Sequence, residues 1–184
     1  MKTKLTSRLR VRSIVIAALC TALCVVLPIA FHSIPNAGSV LSPIHIPVLL
    51  CGLICGPFWG LACGIAGPLL SSVITSMPAM AYLPPMLVEC AVYGLAAGAL
   101  MRFVRTGYLY ADLYISLLTS MLFGRVVAGA AKALIFAAGE YSFSVWATAY
   151  FVTSLPGIVI HLILIPTLVA ALQAARLIER RYEK

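Results

Sequence analysis

The chain has 184 residues, of which 62% are hydrophobic and 10% charged, and its formal net charge is +8. This balance excludes an ordinary soluble domain and indicates an integral membrane protein, with room for one membrane domain and no separate catalytic or nucleotide-binding head. The basic residues gather at the chain ends and in one short loop, without an extended basic surface interleaved with aromatic residues, which excludes nucleic-acid binding.

The first apolar run extends from Ile14 to Phe31. It is too long for a typical secretory signal core and lacks a small-residue cleavage pattern, so we predict that it is retained as a transmembrane helix. Ala18 and Ala22 stand four residues apart and form a small-residue face that permits close approach of another helix. That helix could belong to this chain or to another protein.

Hydropathy and the glycine and proline positions divide the chain into six predicted spans. Their approximate bounds are 13–31, 44–57, 59–77, 84–104, 111–138 and 147–176. The second and third are short and separated only by GPFWG, which predicts a tight helical hairpin or a re-entrant pair. The sequence therefore predicts an all-α membrane protein, with residues 1–184 forming a single compact bundle of six transmembrane helices.

The lysine and arginine distribution predicts the orientation of the bundle. Five basic residues precede the first span, Arg102 and Arg105 follow the fourth, and four more close the chain. The predicted outer loops cover 32–43, 78–83 and 139–146. They contain no lysine or arginine and only one acid, Glu140. By the positive-inside rule, both termini are cytoplasmic.

Small residues recur at four-residue spacing in three later spans, and we predict that they serve helix packing within the chain. They are Gly52, Gly56, Gly60 and Gly64 in one stretch, and Gly94 and Gly98 in another.

All six cysteines lie in apolar runs, where a thiol behaves as a small hydrophobic group, so we expect no disulfides. Cys51, Cys55 and His45 do not have the spacing of a zinc site. We predict neither a metal nor a cofactor.

Chemistry is limited to a few polar side chains at membrane depth, since the chain has no phosphate-binding loop and no hydrolase or metalloprotease motif. These side chains are His45, Glu89, Arg125, Lys132 and His161. Ionisable groups at this depth are costly and indicate function.

Arg125 and Lys132 are seven residues apart, nearly two turns, and so share one face of the fifth helix. Glu89 is predicted at a depth similar to that of Lys132. One carboxylate opposite two cations leaves a surplus positive charge, which an anionic ligand group such as a carboxylate would balance. The alternative is a fixed Glu89 bridge to either cation, with the other cation reaching towards the surface.

The remaining polar candidates each have two interpretations. His161 lies between two prolines and can hydrogen-bond a ligand or a backbone carbonyl freed by Pro166. The outer loop HSIPNAGSVLSPIHIP is either a lid over a binding site or a connector. Tyr82, Trp146 and Tyr150 fit an interfacial aromatic belt and could also flank a ligand.

The basic N-terminus, the ALCTALCVVLP face, the polar outer loop, the block SPIHIPVLLCGLICGPFWGLACGIAGPLL and six spans in under 200 residues together resemble the substrate-binding S components of energy-coupling factor (ECF) vitamin transporters. The resemblance covers nearly the whole chain. It implies a multi-pass protein of the prokaryotic cell membrane that captures a vitamin or related micronutrient and works with a membrane coupling subunit (T) and two ATPase subunits of an ABC-type complex.

The resemblance also implies roles for individual residues. Ala18 and Ala22 would contact the T subunit, and Asn36, Gly38 and Ser39 would belong to the gating loop. The substrate would be contacted by side chains of the outer halves of the helices and by the loop. They are Glu89, Arg125, Lys132, His161, Asn36, Tyr93 and Trp146.

The predicted function is high-affinity substrate capture for an importer energised by partner ATPases, not catalysis. The surplus positive charge favours an acid such as pantothenate, nicotinate, lipoate or a folate, while riboflavin, pyridoxine and a queuosine precursor stay open. Two other functions remain as alternatives. One is a small intramembrane enzyme using His45, Glu89 and His161, and the other is a membrane assembly protein.

Overall fold

All regular structure in the described part of the chain is helical. The computed structural model describes residues 2–33, 36–136 and 142–182. The α-helices are α1 (Lys2–Ala30), α2 (Ala37–Val40), α3 (His45–Cys55), α4 (Pro57–Thr75), α5 (Leu83–Phe103), α6 (Leu109–Ala131), α7 (Phe143–Ala147) and α8 (Leu155–Ala174), and two π-helical segments cover Lys132–Phe136 and Thr148–Thr153. The predicted loop residue Glu140 lies outside the described residues.

Six stretches of the described chain are helical, long and apolar enough to cross a membrane. They are Val11–Ala30, Gly38–Cys55, Pro57–Thr75, Leu83–Phe103, Leu109–Ile135 and Leu155–Ala174. An apolar core of about 30 Å needs about 20 helical residues. The predicted all-α, six-helix membrane fold is confirmed.

Helix α3 is packed on several sides by other helices. Every residue from His45 to Leu53 is buried, and α3 contacts α1, α4 and α5. The chain folds back at Gly56, whose φ of 91° favours glycine, and Pro57 opens α4 at a position where its missing N–H costs nothing. The result is a tight pair formed by α3 and α4.

The predicted glycine spacing is used inside the chain, where α4 packs closely on α5. A Cβ on Gly60 would lie 2.2 Å from the carbonyl oxygen of Gly94, and a Cβ on Gly94 would lie 2.0 Å from the carbonyl oxygen of Gly60. A Cβ on Gly64 would lie 2.3 Å from the carbonyl oxygen of Cys90. The two backbones therefore touch where these residues meet, as expected for small-residue faces in lipid.

The region predicted as one span over 147–176 consists of two elements. Residues Phe143–Thr153 form a short apolar helix that passes from α into π geometry, and α8 begins only at Leu155. Pro156 explains the break, because proline lacks an N–H and is favoured in the first turn of a new helix. The Ser154 hydroxyl donates to the carbonyl oxygen of Tyr150 at 2.6 Å and so satisfies a carbonyl at the junction.

The chain that follows α8 is held against the loop between α5 and α6. The Asp112 carboxylate is fully buried and accepts hydrogen bonds from Arg181 and from the Tyr182 hydroxyl. It also accepts from the backbone N–H and the hydroxyl of Thr106, at 2.8 and 2.7 Å. Asp112 lies in the first turn of α6, where a negative charge is favourable. These contacts tie the C-terminal segment to this end of the bundle.

Candidate functional site

The centre of the candidate site is a linear chain of three polar side chains between α5 and α6. Glu89 and Tyr93 are four residues apart on α5, so they share one face, and the Tyr93 hydroxyl donates to Glu89 Oε1 at 2.6 Å. Arg125 Nε on α6 donates to the Tyr93 hydroxyl oxygen at 2.9 Å and lies 3.9 Å from Glu89 Oε1. None of the three residues is more than 7% exposed. Of the two predicted partners for Glu89, the structure pairs it with Arg125.

A glycine beside Arg125 makes this arrangement possible. A Cβ on Gly124 would lie 2.3 Å from a ring carbon of Tyr93, so any larger residue would collide with the tyrosine that links Glu89 to Arg125. Gly124 thus leaves space for the Tyr93 ring, and the Tyr93 hydroxyl orients the guanidinium of the neighbouring Arg125.

Of two buried histidines, His45 lies beside the Tyr93 ring and His161 lies beside His45. The His45 ring centroid is 5.0 Å from that of Tyr93 and 6.0 Å from that of His161, both in edge-to-face arrangements. The backbone of Leu41 and Ser42 lies against the His161 ring. Among the described residues, however, neither nitrogen of either ring has a hydrogen-bond partner of normal geometry. The two imidazole rings are therefore buried near Tyr93 without a hydrogen-bond partner of normal geometry among the described residues.

An aromatic cover formed by residues 143–153 lies over Arg125. The Phe151 ring centroid is 5.5 Å from Arg125 Cζ, within range of a cation–π contact. Trp146 Nε1 donates to the Arg125 carbonyl oxygen at 3.1 Å, and its ring packs edge-to-face on Phe151 with centroids 5.2 Å apart. A Cβ on Gly129 would lie 2.2 Å from Trp146 Nε1, so this glycine leaves room for the indole.

Lys132 lies further along the same element as Arg125. It is half-buried and stands where α6 passes into the π segment Lys132–Phe136. Its predicted contact with the substrate stays a prediction.

The predicted gating loop forms a compact turn. Asn36 adopts a φ of 57°, a left-handed conformation that asparagine tolerates, and its carbonyl oxygen accepts hydrogen bonds from the Ser39 N–H and hydroxyl at 3.1 and 3.0 Å. Gly38 and Ser39 are exposed. Helix α2 contacts α8 and the π segment Thr148–Thr153, so the loop and the aromatic cover adjoin. The gating role itself stays a prediction.

The polar centre is closed to solvent in this conformation. Tyr93 and His161 are fully buried and Arg125 is 3% exposed. A ligand can therefore reach the guanidinium and the imidazoles only if a neighbouring element moves.

The family model for the substrate-specific component of ECF transporters matches residues 12–169. The chain belongs to this family. No curated protein and no solved structure is significantly similar to it.

Membership of this family establishes the general function of the chain. A substrate-specific component is a multi-pass membrane protein that binds a small molecule and associates with the coupling and ATPase modules of its transporter, and it is not an enzyme. The structure does bring His45, Glu89 and His161 to one region, as the alternative of an intramembrane enzyme requires. The family, however, is one of transport-binding subunits and not of enzymes.

The face formed by Ala18 and Ala22 is turned away from the bundle. Both alanines are exposed, whereas Ala17, Cys20 and Cys24 on the opposite side of α1 are buried. The substrate-specific component therefore leaves this small-residue face uncovered. Its contact with the T subunit stays a prediction.

Sequence reasoning missed two contributors to the site. Phe151 stands in YFVTSLP, where nothing distinguishes an aromatic residue that covers a cation from an interfacial one. The sequence marks His45 as a polar residue at membrane depth but does not place it among the substrate contacts. In the structure it lies between Tyr93 and His161. Its buried position in an apolar block was the available signal.

Proposed function

We propose that this substrate-specific component captures a vitamin or related micronutrient that carries an anionic group, such as pantothenate, and releases it into a transporter driven by two partner ATPases in a prokaryotic cell membrane. The substrate would lie among Arg125, His45 and His161, beneath the gating loop and the aromatic cover. The observation that carries the proposal is the hydrogen-bonding capacity of these three buried side chains.

Arg125 supplies the anion-binding capacity. Its Nε is committed to Tyr93, but its terminal amino groups, Nη1 and Nη2, donate no hydrogen bond to any described residue. These two groups form the planar fork that binds a carboxylate in bidentate fashion. Tyr93 is both donor and acceptor in its contacts with Glu89 and Arg125, so it holds the guanidinium in place. Its own contact with the substrate stays a prediction.

His45 and His161 supply neutral polar contacts. Each imidazole offers one donor and one acceptor, and a buried polar group left without a partner costs about 1–3 kcal/mol. Four such nitrogens in one place favour a polar ligand with hydroxyl, amide or carbonyl groups. A binding site built on unpaired polar groups also rejects ligands that cannot pair with them, which supports selectivity.

The proposal is tested by a thermal-shift screen of the purified protein against pantothenate, nicotinate, lipoate, folates, riboflavin and pyridoxine. A ligand present at 100 times its dissociation constant adds about 2.7 kcal/mol of stability. Calorimetric titration of the best ligand then compares the parent with Arg125→Lys. This variant keeps a positive charge beside Glu89 but loses the fork, so we expect affinity to fall about tenfold or more.

Two further variants separate binding from folding. Arg102→Lys changes an exposed arginine in the last turn of α5 and should bind like the parent. His161→Phe removes two unpaired nitrogens, so the ligand-free protein should keep its stability while ligand stabilisation falls. If Arg125→Lys binds the best ligand within about twofold of the parent, well under 1 kcal/mol, the anionic contact is wrong.

A further inference from the structure

A polar cavity lies at the opposite end of the bundle from the Arg125 cluster. It has a volume of about 420 Å³ and opens to the surface between the ends of α1, α3, α5 and α8 and the C-terminal segment. Met101, which lines it, stands twelve residues along α5 from Glu89, or about 18 Å of helix rise. The cavity is therefore separate from the proposed substrate site.

The described lining of this cavity is strongly basic. It contains four arginines, Arg12, Arg105, Arg180 and Arg181, against one acid, Glu179. Arginine groups of this density at the end of a helix bundle repel one another unless an anion lies between them.

Two of the four guanidinium groups are committed to the protein. Arg12 donates to the carbonyl oxygen of Leu177, and Arg181 donates to Asp112. Arg105 and Arg180 have no hydrogen bond or ion pair with any other described residue. The guanidinium groups of Arg105 and Arg180 are thus available to a ligand in the cavity. The other two arginines of the lining hold the C-terminal segment in position.

The other wall of the cavity is apolar. It is formed by Ile16, Leu53, Ile54, Val169 and Ile178. A small soluble anion would leave the half-buried side chains of Ile16 and Ile54 in contact with water, whereas a glycerophospholipid would place its phosphate at the arginines and the first part of its acyl chains along these side chains. Arg105 follows the apolar stretch of α5, and Arg180 follows that of α8, so both stand beyond the ends of spans, where headgroups lie.

We propose that this cavity binds the phosphate group of an anionic phospholipid, with Arg105 and Arg180 as its principal contacts. Phosphate is the chemistry that the guanidinium forks recognise, and the apolar wall selects a lipid as its source. This inference stands apart from the proposed substrate, because it rests on a different set of residues at the other end of the bundle.

The experiment titrates the detergent-purified full chain with phosphatidylglycerol in mixed micelles and records the thermal unfolding midpoint. Parallel titrations use phosphatidylcholine, glycerol 3-phosphate and inorganic phosphate. We expect phosphatidylglycerol alone to raise the midpoint. In Arg105→Gln/Arg180→Gln, the concentration for half-maximal stabilisation should rise about tenfold, because two charge-assisted contacts are lost.

The matched control is Arg102→Gln/Arg176→Gln, which removes the same charge from exposed arginines outside the cavity lining. It should respond to phosphatidylglycerol like the parent. The proposal is overturned if phosphatidylglycerol does not shift the unfolding midpoint, or if inorganic phosphate stabilises the protein as well as the lipid does. It is also overturned if the control variant loses the response to the same extent, because the attraction would then be spread over the basic surface. It is also overturned if the Arg105/Arg180 variant loses association with the partner subunits while its lipid response is unchanged, because the cavity would then be a protein interface.

Discussion

Arg125 combines a structural contact with spare binding capacity. Its Nε is fixed by the Tyr93 hydroxyl and lies 3.9 Å from the Glu89 carboxylate, while its terminal amino groups make no hydrogen bond with a described residue. A buried ion pair adds little net stability, but removing one partner leaves the other charge unpaired in an apolar interior. Substituting Arg125 should therefore lower the stability of the protein even when no ligand is bound.

We predict that Arg125→Met destabilises the ligand-free protein by about 3–5 kcal/mol, because it leaves the Glu89 carboxylate buried without its cation. Adding Glu89→Gln should restore part of this loss. The measurement is the free energy of unfolding in detergent for the parent, the two single variants and the double variant. Arg102→Met, at an exposed position, is the control. A double variant no more stable than Arg125→Met would show that Glu89 and Arg125 are not energetically coupled.

Helix α1 has one face packed against the bundle and another that is exposed. Ala17, 7% exposed, faces the bundle, whereas the neighbouring Ala18 and the next-turn Ala22 are exposed. The other small-residue faces, on α4 and α5, are already closed by contact between Gly60 and Gly94. The exposed alanine face of α1 is thus available for a helix of a partner.

We predict that Ala18→Leu/Ala22→Leu weakens assembly with the coupling subunit while ligand binding to the isolated protein stays within about twofold of the parent. Leucine at these exposed positions disturbs no internal contact, but it prevents close approach of a second backbone. Copurification with the T and ATPase subunits measures the first effect, and calorimetry the second.

The matched control is Ala17→Leu, which adds volume at a buried position and should harm folding itself, by about 1–3 kcal/mol. If Ala18→Leu/Ala22→Leu lost folding in the same way, the face would pack internally and the partner contact would be wrong.

Across the whole molecule, the two ends of the bundle differ in charge and chemistry. One end holds the Arg125 cluster, the gating loop and the aromatic cover, and the other holds the basic cavity and the segment clamped by Asp112. By the positive-inside rule, we predict that the basic end is cytoplasmic. That orientation would turn the gating loop to the outside, where a micronutrient arrives.

We predict that Ser39→Cys, in a background with all six cysteines replaced by alanine, reacts with a membrane-impermeant maleimide added to intact cells. Ser39 is exposed in the gating loop, so access depends on orientation alone. Tyr108→Cys, at a 76% exposed position of the α5–α6 loop, should react only after permeabilisation. The opposite labelling pattern would reverse the proposed topology.

The sequence predicts which residues belong to the candidate site better than it predicts how those residues are arranged. Glu89, Arg125 and His161 are conspicuous because ionisable groups in apolar runs are costly. Their pairing was open, because sequence spacing relates residues on one helix but not on two. The choice of Arg125 over Lys132 as the partner of Glu89 depends on how α5 and α6 face each other, and Tyr93 and Gly124 decide that contact.

The amino-acid sequence by itself determined the all-α membrane fold with six spans and the candidate members of a polar centre, since hydropathy and the cost of buried charge act on each segment separately. Only the tertiary structure decided that residues 143–153 fold over Arg125 instead of forming one helix with α8, that His45 meets His161, and that four arginines from distant parts of the chain line one cavity. Each of these features joins elements far apart in sequence. Contacts of that kind depend on the shapes of the packed helices, which no single segment encodes.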